Sequence, residues 1–216
     1  SPDHAANSGL DYLGHLDGTV QGIKDARRDF GIEGRIIVTC VRHFGPERAL
    51  AVARQVMENP HPLVTGFGMG GDENQYSPAD FAPAFTFVHD RAGLPCNVHA
   101  GEAAGADSVR QALAALPVSR IGHGVRAIED PDLVNALADR GVVLEICPTS
   151  NIKTGVFPSY DAHPFTALRD AGCRVTLNSD DPPFFNASVG GEYAIAADRF
   201  GLTVDDLIAV TRTALD

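Results

Sequence analysis

Short β-branched runs recur along the chain at nearly one spacing, and this recurrence restricts the fold more than any other feature. Six runs read as strands: 35–41 (RIIVTCV), 63–70 (LVTGFGMG), 95–100 (PCNVHA), 120–124 (RIGHG), 142–148 (VVLEICP) and 174–180 (RVTLNSD). Their starts lie 28, 32, 25, 22 and 32 residues apart, enough for one strand, one helix and two loops. Gly31, Gly93, Gly141 and Gly172 each fall shortly before a strand, where a left-handed helix C-cap is expected. A βα series of this kind predicts a parallel sheet.

No Gly-x-Gly-x-x-Gly follows any strand, so a dinucleotide-binding sheet lacks its usual mark. Polar residues gather instead at the C-terminal ends of several strands: Gly71-Asp72-Glu73, His99 with Glu102, His123, and Asp180-Asp181. Strand ends converge in that way in a (β/α)8 TIM-type barrel, whose active site forms on that rim. The expected fold is therefore an α/β barrel, with residues 1–216 as a single domain. Six strands are visible where closure needs eight, and such barrels run to about 250 residues. Either two strands lie upstream or the sheet is open. The chain opens on Ser1-Pro2-Asp3-His4, read as a loop, before a helical stretch over 10–30.

A net charge of −11 with 17 basic residues argues against nucleic acid or an anionic membrane as partner, because phosphate binding needs clustered Lys and Arg. No apolar run approaches a membrane span, and Ser1 begins no secretory pattern. Cys40, Cys96, Cys147 and Cys173 form no Cys-x-x-Cys pair, so buried thiols in a reducing cytoplasm are expected.

In NVHAGE, alternation puts Asn97 and His99 on one strand face and Val98 and Ala100 on the other. Glu102 is read at the start of the next helix, where a carboxylate overhangs the strand end. His123 stands between Gly122 and Gly124, which allow close approach of backbone or ligand. LNSDDP, 177–182, brings two adjacent carboxylates to the same rim, although its residue types also suit a solvated turn. Histidines and carboxylates at three strand ends suit a Zn²⁺ ion with an open position. Two-metal barrel hydrolases commonly bridge their ions through a modified lysine. Only Lys24, in the first helical stretch, and Lys153, read as a loop residue, occur here, so one metal per chain is expected.

HAGE (99–102), GHG (122–124), CPTSN (147–151) and NSDDP (178–182), in this order, resemble the adenosine deaminase family of zinc-dependent purine deaminases. MGGDE (69–73) is similar to that family's LAGDE segment, with Met69 and Gly70 in place of Leu and Ala. The resemblance implies that His99 and Asp180 are zinc ligands, Asp180 also holding the water. It implies that Glu102 gives a proton to the purine ring and that His123 orients and stabilises the attacking hydroxide. Asp181 would partner a ring nitrogen, and Gly71 would offer its backbone N–H to the base. The other zinc deaminases, with His-x-Glu and Pro-Cys-x-x-Cys, have a signature absent here.

The family's first strand carries a His-x-His pair supplying two further zinc ligands, and no His-x-His occurs in this sequence. GHLDG (14–18) is a tempting substitute, but Leu10, Leu13, Leu16, Val20 and Ile23 repeat at helical spacing, which makes His15 a helix residue. The alignment thus implies a barrel lacking its first two strands. The expected activity is hydrolytic deamination of a small-molecule aminopurine, a cyclic amidine. Adenosine is the first reading, and adenine or aminofutalosine the alternatives. A non-catalytic partial chain and a hydrolase of another C–N bond are the competing classes.

Overall fold

In the computed structural model, which describes residues 1–215, every expected strand appears within two residues of its predicted start. The chain divides into two compact units, residues 1–98 with 111–118, and residues 99–110 with those from 119 onward.

In the first unit, α1 (Pro2–Asn7) and α2 (Tyr12–Phe30) precede β1 (Ile36–Val41), α3 (Pro46–Glu58), β2 (Val64–Gly70), α4 (Ala82–Ala92) and the start of β3 (Cys96–Ala100). β1 pairs with β2 and β2 with β3, both in parallel. The opening tetrapeptide is helical rather than a loop. Ser1 is the N-cap, Pro2 takes the first turn where its missing N–H costs nothing, and Asp3 puts a carboxylate at the positive end of the helix. In α2 the Asp11 side chain caps the N-terminus by accepting from the Gly14 N–H at 2.8 Å, and Gly31 ends it at φ 68°. Its buried stripe is Tyr12, Leu16 and Val20, one residue per turn, whereas Leu13 is exposed and Leu10 lies outside the helix. His15 is a helix residue, as its spacing predicts. Phe67, Phe81 and Phe85 form a buried aromatic core, with Phe67 and Phe85 edge-to-face at 5.2 Å. Each such side chain stabilises by about 1.5–3 kcal/mol through burial.

The second unit begins with the end of β3 and the first residues of α5 (Ala106–Ala115), then takes up β4 (Val118–His123) from Ser119. It continues through α6 (Pro131–Arg140), β5 (Val143–Ile146), α7 (Pro148–Lys153), α8 (Phe165–Asp170), β6 (Arg174–Leu177), α9 (Pro182–Phe185), α10 (Val189–Phe200) and α11 (Val204–Leu215). β4 pairs with β5 and β5 with β6, again in parallel. α8 and α11 pack on β6. Asp130 caps α6 by accepting from the N–H groups of Asp132 and Leu133, and Gly141 closes it in the left-handed region.

Three local expectations are corrected. β6 ends at Leu177, three residues early, because Asp180 takes φ 55°, outside any strand conformation. Lys153 is the last residue of α7, since Pro148 starts a helix after Cys147. Glu102 lies in the bend between β3 and α5, four residues before the helix, so no helix N-terminus holds it. The four cysteines are buried free thiols. Among the described residues no helix is long and apolar enough to cross a membrane.

Candidate active site

Four of the six predicted site residues converge within the second unit. β3 alternates in burial, with Cys96, Val98 and Ala100 inside and Asn97 and His99 half-buried on the other face, as period-2 geometry requires. His99 meets His123 at the end of β4 edge-to-face, ring centroids 5.0 Å apart. Gly122 permits this approach, because a Cβ there would run into the His99 ring. His123 Nε2 lies 3.4 Å from Glu102 Oε2 and 3.9 Å from Asp180 Oδ2. The imidazole thus stands between two carboxylates from two different strand ends.

His123 is 2% exposed. Burial, reinforced by the neighbouring His99, lowers its pKa to about 3, so the ring is neutral at pH 7. Its backbone adopts φ 60°, and Asp180 adopts φ 55°. Among the described residues only Tyr76 and Asn186 join them as non-glycine residues in the left-handed region. Each such position costs on the order of 1–3 kcal/mol and is held by its surroundings. Two of the four therefore coincide with site residues that the motifs had marked.

Donor atoms of His99, Glu102 and His123 lie within 4.8 Å of one another, as do those of His123, Cys147 and Asp180. Burial first, then the nearby carboxylates of Asp180 and Glu102, pushes the Cys147 thiol up. The His99 imidazole and the Asp180 carboxylate are donor types of a catalytic zinc site, and they fit such an ion. A cavity of about 350 Å³ lined by His99, His123, Cys147, Asn178 and Asp180 opens at this point. A second hollow, of about 530 Å³, is lined by Glu102, Arg126, Glu129 and Thr154.

The other two predicted residues are not gathered here. Asp181 is exposed at the start of α9, its side chain capping nothing. Gly71 belongs to the first unit, at φ 106° just past β2, where a Cβ would strike the His43 ring.

Two further residues escaped the sequence reading. Asn151, fully buried, places Nδ2 3.2 Å from His123 Nδ1 and Oδ1 3.2 Å from His163 Nε2. Asn151 lies within CPTSN, a motif quoted for its resemblance without a role for each member. His163, a lone histidine before Pro164, gave no spacing signal.

The sequence profile of the adenosine deaminase family matches residues 1–216. An adenine deaminase of Chelativorans sp. (strain BNC1) is 55% identical over all of this chain and 66% of its own length. An adenine deaminase of Rhizobium leguminosarum bv. trifolii is 50% identical over all of this chain and 67% of its own. The chain thus spans about two thirds of the length of these relatives. A crystal structure of adenine deaminase from Arthrobacter aurescens superposes with a TM-score of 0.92 at 27% identity, covering 99% of this chain and 65% of that one. A zinc-bound amidohydrolase from Burkholderia ambifaria gives 0.90 at 29% identity, covering 98% and 59%. The fold is of the α/β-barrel, metal-dependent hydrolase kind that the strand series predicts.

Proposed function

The chain belongs to the adenosine deaminase family, and we propose that it acts in the zinc-dependent hydrolysis of an aminopurine to the oxopurine and ammonia, with one zinc ion and with adenine as substrate. The observation that carries this reading is the meeting of His99, Glu102, His123 and Asp180 around one buried imidazole. Of the substrates left open by the motifs, adenine is favoured over adenosine by the names of relatives 50–55% identical.

His99 and Asp180 would hold the ion, His99 by its imidazole and Asp180 by its carboxylate. When bound, zinc lowers the pKa of water from 15.7 to about 7 and so supplies a nucleophile at neutral pH. Neutral His123, with Nε2 near the carboxylates of Glu102 and Asp180, would hydrogen-bond the attacking oxygen as it approaches the ring carbon. Glu102, with its carboxylate 3.4 Å from His123 Nε2, would deliver a proton to the ring nitrogen so that negative charge does not build up on the purine. Asp181, exposed beside Asp180, would reach a further ring nitrogen, and Gly71 would offer its N–H to the base.

The test is loss of the adenine absorbance band with release of ammonia by zinc-loaded protein, adenosine being run beside it. Glu102→Gln keeps zinc but loses about 10²–10⁴-fold in kcat, because an amide has no proton to give. Near-normal kcat in that variant overturns the role of Glu102. The competing reading is a non-catalytic chain that does not hold zinc. Zinc lost on dialysis, with no ammonia released from either substrate, decides for it.

A further inference from the structure

Buried behind His123, away from the two carboxylates, lies a file of polar groups that the proposed reaction does not use. Its far end is fixed by a group that can only donate: the backbone N–H of Phe165, 3.2 Å from His163 Nδ1. His163 Nδ1 must therefore be the accepting nitrogen, which leaves the ring proton on Nε2. That nitrogen lies 3.2 Å from Asn151 Oδ1, an acceptor. With its oxygen turned to His163, Asn151 presents its NH₂ group to His123 Nδ1 at 3.2 Å. An amide nitrogen only donates, so His123 Nδ1 accepts and the proton of this second ring resides on Nε2 as well.

We propose that Asn151 and His163 are positioning residues that set the tautomer of His123, holding its proton on Nε2, where it points at Glu102 and Asp180. The direction of every bond in the file follows from one backbone amide, through two side chains that are 0% and 6% exposed. Because both residues are buried, a reversal would leave a buried donor facing a donor, at a cost of about 1–3 kcal/mol. Burial also lowers the pKa of His163 to about 4, so it stays neutral and keeps a single proton. Aromatic contacts hold the ring in place: Phe200 stacks on His163 at 5.5 Å and Phe157 lies 5.3 Å from it.

For the metal the consequence is a division of labour. A ring whose Nε2 keeps its proton cannot give that nitrogen to zinc, so His123 is a hydrogen-bond donor although its nitrogen falls in both groups of candidate ligands. The consequence for turnover rests on the deaminase reading above; the tautomer itself does not.

Long-range proton–nitrogen correlation spectra of the protein labelled with ¹⁵N-histidine read the tautomer directly, with and without zinc, the His123 signals being those that vanish in His123→Gln. The expected pattern is a pyrrole-type Nε2 and a pyridine-type Nδ1 in both states. Asn151→Asp puts a carboxylate against Nδ1 and is expected to move the proton there. His163→Leu, which frees the Asn151 amide to turn over, mixes the two patterns, whereas His163→Gln retains a donor and the original pattern. A protonated Nδ1 in the unaltered protein overturns the proposal without recourse to any variant, as does an unchanged pattern in Asn151→Asp. In turnover, Asn151→Asp should lose at least about 100-fold in kcat with KM little altered. An unaltered protein that shows the expected tautomer but deaminates no purine leaves the file of hydrogen bonds standing and removes the deaminase reading.

Discussion

Two strand ends in this chain carry adjacent acids, Asp72-Glu73 after β2 and Asp180-Asp181 after β6, and the structure treats them in opposite ways. Asp72 is absorbed by its own loop. Its carboxylate accepts from the Asn74 N–H at 3.0 Å, the Asn74 amide at 3.2 Å and the Gln75 amide at 3.1 Å, and these bonds, the one from the Asn74 backbone foremost, hold its pKa below the usual carboxylate value. Glu73 is buried in the company of Arg42, whose Nη1 donates to the Glu73 carbonyl at 3.2 Å. The first pair is thus occupied with holding its loop and a buried cation. Asp180 sits instead on a left-handed backbone with its carboxylate turned to His123, and Asp181 caps nothing. An acid that satisfies its own loop is structural, and one held against its backbone preference is available for chemistry.

Glu73→Gln should show the largest effect on the folded state. It removes a charge that acts on the buried Arg42 guanidinium while the Glu73 carbonyl still accepts from it, and should lower stability in denaturant unfolding. Zinc content should not change, and if it falls with stability the contrast between the two pairs breaks down.

The acid limb of stability is next. His163 has a folded pKa of about 4 against 6.5 for the free side chain, because burial disfavours its charge. The unfolded chain therefore binds more protons between these values, and stability rises with pH across that window. The contribution is complete above pH 6.5 and is lost as pH falls toward 4, on the order of 2 kcal/mol after allowance for relaxation. His123, whose pKa is lowered to about 3, contributes in the same direction, so His163→Gln should reduce the slope of that limb in urea titrations without abolishing it, and an unaltered slope would show that His163 does not contribute.

Asp180→Asn should lower zinc affinity by about 10–100-fold, with activity returning only partly on added zinc. Asp181→Asn should keep zinc and weaken substrate handling in KM and kcat together. Equal metal loss in the two would mean that both carboxylates hold the ion. Asp180→Gly sharpens the comparison at smaller scale. It relieves a left-handed backbone of on the order of 1 kcal/mol, so the variant should melt slightly higher than wild type while binding zinc no better than Asp180→Asn. A lower melting temperature would show that the Asp180 carboxylate stabilises the fold by more than its backbone costs.

The strands and the histidines on their ends were legible because both depend on short-range rules. Period-2 alternation placed Asn97 and His99 on one face of β3, and the structure agrees. Helix boundaries were less legible where two local signals compete. Ser1-Pro2-Asp3 reads equally as a turn and as a capped first helical turn, and the packing of α1 on α2, β1 and α3 selects the helix. The residue types of LNSDDP suit a solvated turn, and Asp181 is exposed as such a turn would have it, whereas Asp180 is half-buried with its carboxylate turned to His123.

The βα series, the residue types at the strand ends and the order of motifs that places the chain in its family are all written in the residues themselves. Those features come from backbone periodicity and from side-chain chemistry, both local to a few residues. It takes the packed fold to set His123 and Asp180 on left-handed backbones facing each other and to line up Asn151 and His163 behind His123. Asn151 is 28 residues from His123 and 12 from His163. No local preference encodes a hydrogen bond across that separation, and its direction is settled only when burial removes the water that could have replaced it.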